Sequence, residues 1–135
     1  MKRFKVIISV MMAAFALCCL FAACHDDDGT IEPVVITASD ESFVYEDKTL
    51  LDYMNYLQDK NELAFTVNDG MVTSINGISN TSNSYWMLYT SDTDNANNDW
   101  GTYNDDGAVY GSATLGAAAL VIKENCIYAW VYQIF

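Results

Sequence analysis

The chain has 135 residues, a formal charge of −12, a hydrophobic fraction of 52%, four cysteines, one histidine and one proline. Length allows one modest domain. The acidity removes the basic surface that nucleic acid needs, the apolar content is too high for a disordered acidic chain, and a single histidine excludes most histidine-dependent metal sites and catalytic triads.

Residues 1–23 stand apart. Lys2, Arg3 and Lys5 head an apolar run from Val6 to Ala23 with no acidic residue. A basic start, an apolar stretch and small residues at its end predict a secretory signal peptide. The alternatives are a transmembrane anchor, since the run is at the lower edge of a span, and simple secretion. Leu20-Phe21-Ala22-Ala23-Cys24 resembles a bacterial lipobox, which implies cleavage before Cys24, a lipid on that thiol and attachment to a membrane outside the cytoplasm. Phe21 is bulkier than the residue usual there. Without residues 1–23, three bases face eighteen acids, for a charge of −15, and Cys126 is the one cysteine left beside Cys24. Its apolar surroundings predict a buried, inert thiol.

Residues 24–33 read as a polar tether, with His25 solvated beside Asp26, Asp27 and Asp28. The folded part is expected over 34–135. Val34 to Ala38 is β-branched and predicts a strand, with Ser42 to Glu46 a candidate partner. Leu50, Tyr53, Met54 and Leu57 repeat at helical spacing, so a helix is expected from an Asp47 N-cap to about Lys60-Asn61. The period then becomes two. Leu63 to Val67 and Met71 to Ile75 are expected strands joined at Asn68-Asp69-Gly70, and Asn76-Gly77 predicts a type I′ turn. Residues 79–84 read as a loop, Tyr85 to Tyr89 as a strand, and 91–107 as a long Asp/Asn/Gly loop. Val109 to Leu115, Ala119 to Ile122 and Ile127 to Phe135 complete the strands, with a turn at Lys123-Glu124-Asn125. One helix among several strands predicts an α+β domain, with the helix on one face of a mainly antiparallel sheet.

Catalysis lacks a base, because the folded part holds no histidine and its acids lie in a loop with no evident cleft. The chain is therefore read as a non-enzyme. Residues 92–99, DTDNANND, are similar to a calcium loop, but counting from Asp92 puts Ala96 fifth, Asn97 sixth and Tyr103 twelfth, which fails the EF-hand pattern. A solvated acidic loop is the reading adopted, with a calcium site of another kind as the alternative.

The aromatics carry more information. In the last strand Ile127, Ala129 and Val131 are expected beneath the helix, with Tyr128, Trp130 and Tyr132 on the opposite face. Trp86, Leu88, Tyr89, Trp100 and Tyr103 are the candidate ligand contacts, since Trp and Tyr join flat apolar area to a polar tip. The alternative is a second small core under the 91–107 loop.

Thr49-Leu50-Leu51-Asp52, then Thr73-Ser74-Ile75-Asn76-Gly77, then Tyr85-Trp86-Met87-Leu88-Tyr89 resemble, in order, the C-terminal domain of transcobalamin and intrinsic factor and its bacterial relatives of unknown function. The resemblance spans roughly 34–135. It implies a β-grasp-like α+β domain and cobalamin or another corrinoid as ligand, contacted by Trp86, Leu88 and Tyr89. The loop beyond Asp92 departs from the carriers, as does the absence of their helical partner domain. The expected function is a lipid-anchored, extracytoplasmic binding module, acting alone or with a partner protein. A surface module that binds proteins and no small molecule is the alternative.

Overall fold

The computed structural model describes residues 31–135. The predicted signal peptide, Cys24 and His25 lie outside the described residues. The elements in chain order are β1 (Val34–Thr37), α1 (Leu50–Asp59), β2 (Phe65–Asn68), β3 (Met71–Ile75), β4 (Ile78–Ser79), β5 (Ser84–Thr90), β6 (Ala96–Asp105), β7 (Ala108–Ala113) and β8 (Ile127–Ile134). The fold is α+β, as the pattern predicts. Its strands divide into two sheets: a five-stranded one in the order β1-β8-β5-β7-β6 and a three-stranded one in the order β2-β3-β4. Every strand pair is antiparallel. No helix among the described residues is long and apolar enough to cross a membrane.

The helix starts later than the sequence suggests. Thr49, not Asp47, is the N-cap: its hydroxyl accepts the Asp52 N–H and the Asp52 carboxylate accepts the Thr49 N–H at 2.8 Å, a reciprocal capping box. Asp47 sits at φ +58°, outside the helix. At the other end Asn61, at φ +59°, turns the chain so that Glu62 N–H reaches Leu57 O (2.9 Å) and Asn61 N–H reaches Gln58 O (3.0 Å). This is a Schellman closure with asparagine in the left-handed position. Leu50, Tyr53 and Met54 form the buried stripe, and Leu57 is half-buried.

Three two-residue turns organise the hairpins. Asp69-Gly70, Asn76-Gly77 and Asp106-Gly107 all have positive φ at both positions, the I′ geometry that matches strand twist. The third corrects the long loop expected over 91–107. A short 3-10 turn at Thr93–Asn95 leads instead into the ten-residue strand β6, which pairs with β7. β6 is an edge strand, so its polar composition costs little burial. Its register slips between Asn97 and Thr102, around Gly101 at φ +130°. There the Asn98 side chain lies over β7, where a Cβ on Gly111 would overlap its oxygen.

Two expected strands are absent. Residues 42–46 form turns, with Asp40 accepting the Ser42 N–H at 2.8 Å. Phe43 packs edge-on against Tyr45 and Tyr53. Residues 119–122 make only an isolated bridge from Val121 to Thr49. They form a covering segment whose carbonyl at Leu120 accepts Leu50 N–H at 2.8 Å, while Ala117 O accepts Leu51 N–H at 3.0 Å. Within it, Leu120 and Ile122 are buried. Cys126 is half-buried and unpaired, at a turn rather than in the apolar interior.

Candidate functional site

Strand parity decides which of the expected contacts meet. β5 and β8 pair without interruption from Ser84↔Ile134 to Thr90↔Tyr128. Directly opposed residues share a face, so Trp86, Leu88, Trp130, Tyr132 and Tyr128 lie together on one side. Tyr89 lies on the other with Met87, Ala129 and Val131, where it joins Tyr110 and Tyr103 in a second small core. The Tyr89 and Tyr103 rings are 6.1 Å apart, and the Tyr89 hydroxyl donates to Gln133 Oε1 at 2.7 Å. Trp100 is 64% exposed on the edge strand. The five candidates therefore do not form one surface, and no flat molecule touches Trp86 and Tyr89 together.

The faces of β8 are also the reverse of the expectation. The Tyr128 and Trp130 side is the one covered by the helix segment and the small sheet. Tyr128 is fully buried and its hydroxyl accepts the Lys123 N–H at 2.9 Å from the covering segment. Further along the same face, Trp86 Nε1 donates to Ile78 O at 2.8 Å, Tyr132 donates to Ser79 O at 2.8 Å, and Asn80 Oδ1 accepts the Trp86 N–H at 2.9 Å. These bonds strap β4 across the end of the large sheet. Trp86 and Tyr132 stack edge to face at 5.2 Å.

Between this strap and the covering segment lies a groove of about 410 Å³. Trp86, Leu88 and Trp130 make its floor, Gly70, Met71 and Val72 one wall, and Thr114 to Ala117 the other. The wall closes where Gly70 approaches Ala118, within 3.6 Å of where a Gly70 Cβ would stand. Among the described residues no lining side chain carries a charge. The floor holds one anomaly. Trp130 is 5% exposed, and its indole nitrogen is buried with no hydrogen-bond partner. Native proteins pair almost all such groups, and an unpaired one is costly. Of the five candidates, only Trp86 and Leu88 line this groove. Trp130 was legible as part of an aromatic stripe, whereas Met71, Leu115 and Ala117 gave no signal because they arrive from two distant segments.

Charge is concentrated elsewhere. Asp92 is buried and accepts bonds from Lys123 Nζ (2.8 Å), Asn95 Nδ2 (2.7 Å) and Asp94 N–H (3.2 Å). Burial pushes its carboxyl up, but these donors outweigh it and hold it below the usual value. Asp94 shares Lys123 at 2.8 Å. At the end of α1, Asp40 takes Lys60 Nζ at 2.9 Å and the Tyr56 hydroxyl at 2.8 Å. Lys60, the Ser42 N–H and Tyr56 together lower the Asp40 carboxyl to about 2. Both clusters are satisfied internally. Among the described residues no group of three His, Cys, Asp or Glu side chains is placed to hold a metal ion. The Asp40–Lys60 pair borders a pocket of about 460 Å³ between β1 and α1, but the carboxylate is already held by Lys60, Tyr56 and the Ser42 N–H, as in a structural ion-pair network.

A family model described as "Domain of unknown function (DUF4430)" matches residues 47–97. The match runs from the helix to the start of β6 and includes the groove residues Gly70 to Val72, Trp86 and Leu88. No curated protein and no solved structure gives a match to the chain.

Proposed function

We propose that the chain is a lipid-anchored, extracytoplasmic binding module that takes a flat, largely apolar ligand into the groove floored by Trp86, Leu88 and Trp130. The observation that carries this reading is the groove itself: an uncharged, aromatic-floored concavity of about 410 Å³ on a strongly acidic chain, within the size range of small-molecule sites. The basic and apolar leader ending at Cys24 supports export and lipid attachment. The helix head, the Asn76-Gly77 turn and the Trp86 strand, all inside the family match, support the likeness to the transcobalamin C-terminal domain and hence a corrinoid as the ligand. The groove is smaller than a whole corrinoid, so it grips one edge of the ring system and leaves the rest to solvent or to a partner protein. The module binds and does not catalyse. Calorimetric titration with cobalamin and cobinamide tests this. The expected result is saturable heat with quenching of tryptophan fluorescence, and no heat at high micromolar ligand removes the corrinoid.

The second reading, a protein-interaction module, is favoured by one observation: Trp100 is 64% exposed on the unpaired edge of the large sheet. Such an edge accepts a strand from another chain. Its signature is protection of Trp100, but not Trp86, from oxidative footprinting when a partner is present.

A further inference from the structure

The groove also says what kind of polar group its ligand carries. We propose that Trp130 is the ligand's hydrogen-bond donor, and that the groove selects neutral molecules that present a carbonyl acceptor to the Trp130 indole N–H. This rests on the binding reading above and deepens it.

Three features converge. First, Trp130 Nε1 is buried and unpaired, although Trp86 Nε1, on the same face of the adjacent strand and two residues away in register, is bonded to Ile78 O. The same fold thus satisfies one indole and leaves the other a donor without an acceptor. Second, the Trp130 side chain belongs to the groove floor, directly opposed to Leu88, so the ring that carries the unmet donor faces a concavity that a ligand can enter. Third, among the described residues the lining carries no charged side chain, in a chain with eighteen acids. No lining cation is there to compensate a carboxylate or phosphate, and the field of the protein opposes either. An ammonium finds no lining carboxylate. What remains is a neutral acceptor, and the carbonyl of an amide, ester or lactone fits a single N–H. The nitrogen is shielded from solvent, so a ligand reaches it by displacing part of the lining. Met71 and Leu115 line the same groove and are both exposed, so the lining is free to yield.

Nitrogen-15 NMR of the three tryptophan indoles tests this directly, using three flat probes of similar size: coumarin, a neutral lactone; 2H-chromene, which lacks the carbonyl; and anionic coumarin-3-carboxylate. The expected result is a downfield shift of the Trp130 indole proton with coumarin alone. Coumarin should bind tighter than chromene by about five-fold, the worth of one neutral hydrogen bond, and coumarin-3-carboxylate should bind weakest. Trp130→Phe keeps the aromatic floor and removes the donor, so it should abolish the preference for coumarin over chromene. The wild-type spectra stand without it if that variant does not fold. Equal binding of coumarin and chromene with the Trp130 resonance unmoved overturns the donor assignment and leaves the binding reading intact. No binding of any of these probes, nor of cobinamide, overturns both.

Discussion

Two chemically identical substitutions on neighbouring strands should have very different consequences. Trp86→Phe and Trp130→Phe each delete the same ring atoms from a side chain that is 5% exposed. Loss of burial and the residual cavity cost each about 1–2 kcal/mol, a fraction of the price of truncating a tryptophan to alanine. Hydrogen bonding then separates them. Trp86→Phe also loses the 2.8 Å bond to Ile78 O, worth about 1 kcal/mol, so its total is about 2–3 kcal/mol. Trp130→Phe loses no bond and removes a buried donor that has none, which returns about 1–3 kcal/mol and leaves it close to neutral. The expected gap is about 2 kcal/mol or more. A domain of this size shifts by about 4–8 °C per kcal/mol, so the two melting temperatures should differ by about 8 °C or more. Far-UV circular dichroism during heating, with urea titrations to confirm equal slopes, measures it. Equal losses in the two variants would refute the reasoning, because Trp130 would then hold a bond as good as that of Trp86.

The remaining predictions concern the scaffold. Asp40→Asn should flatten the acid limb of the stability profile: the native carboxyl is lowered to about 2, so the stability it supplies is complete above its unfolded value of about 4 and is lost as pH falls toward 2. Urea midpoints between those pH values check this, and identical acid slopes in the two proteins would contradict it. Asp92→Ala should cost about 2 kcal/mol and Asp94→Ala less than about 1 kcal/mol. Both carboxylates bond Lys123 at 2.8 Å, but their side chains are 3% and 82% exposed. Chemical denaturation of both variants compares them. Thr49→Ala should cost about 1 kcal/mol as a lost N-cap, while Asp47→Ala stays within about 0.5 kcal/mol; the reverse order in thermal melts would return the cap to Asp47.

Local chemistry explains what was readable in the sequence. The helical stripe of Leu50, Tyr53 and Met54 and the Asn76-Gly77 turn depend on neighbours within a few residues, and the structure keeps them. The N-cap was misplaced because Asp47 and Thr49 are both good capping residues, and only the reciprocal bond to Asp52 separates them. β6 was hidden because an edge strand needs little apolar alternation. Its one local sign was Asp106-Gly107, the same turn chemistry recognised at Asn76-Gly77. The parity of β8 was legible, but not which side faces inward, since both sides are apolar. That choice is made by the Lys123 N–H on the Tyr128 hydroxyl and the Ser79 carbonyl on Tyr132, contacts set by distant segments. The groove fails to announce itself for the same reason: Met71, Trp86, Trp130 and Leu115 come from the two sheets and from the segment after β7, and meet only in the folded chain.

The binding claim is tested most directly by mapping backbone amide shifts while cobinamide is titrated into the protein. Saturable shifts confined to the groove are expected, at Gly70 to Val72, Trp86 to Leu88 and Thr114 to Ala117, with the Trp130 indole moving alongside them. Shifts that gather on β6 around Trp100, or none at high micromolar cobinamide, would contradict it.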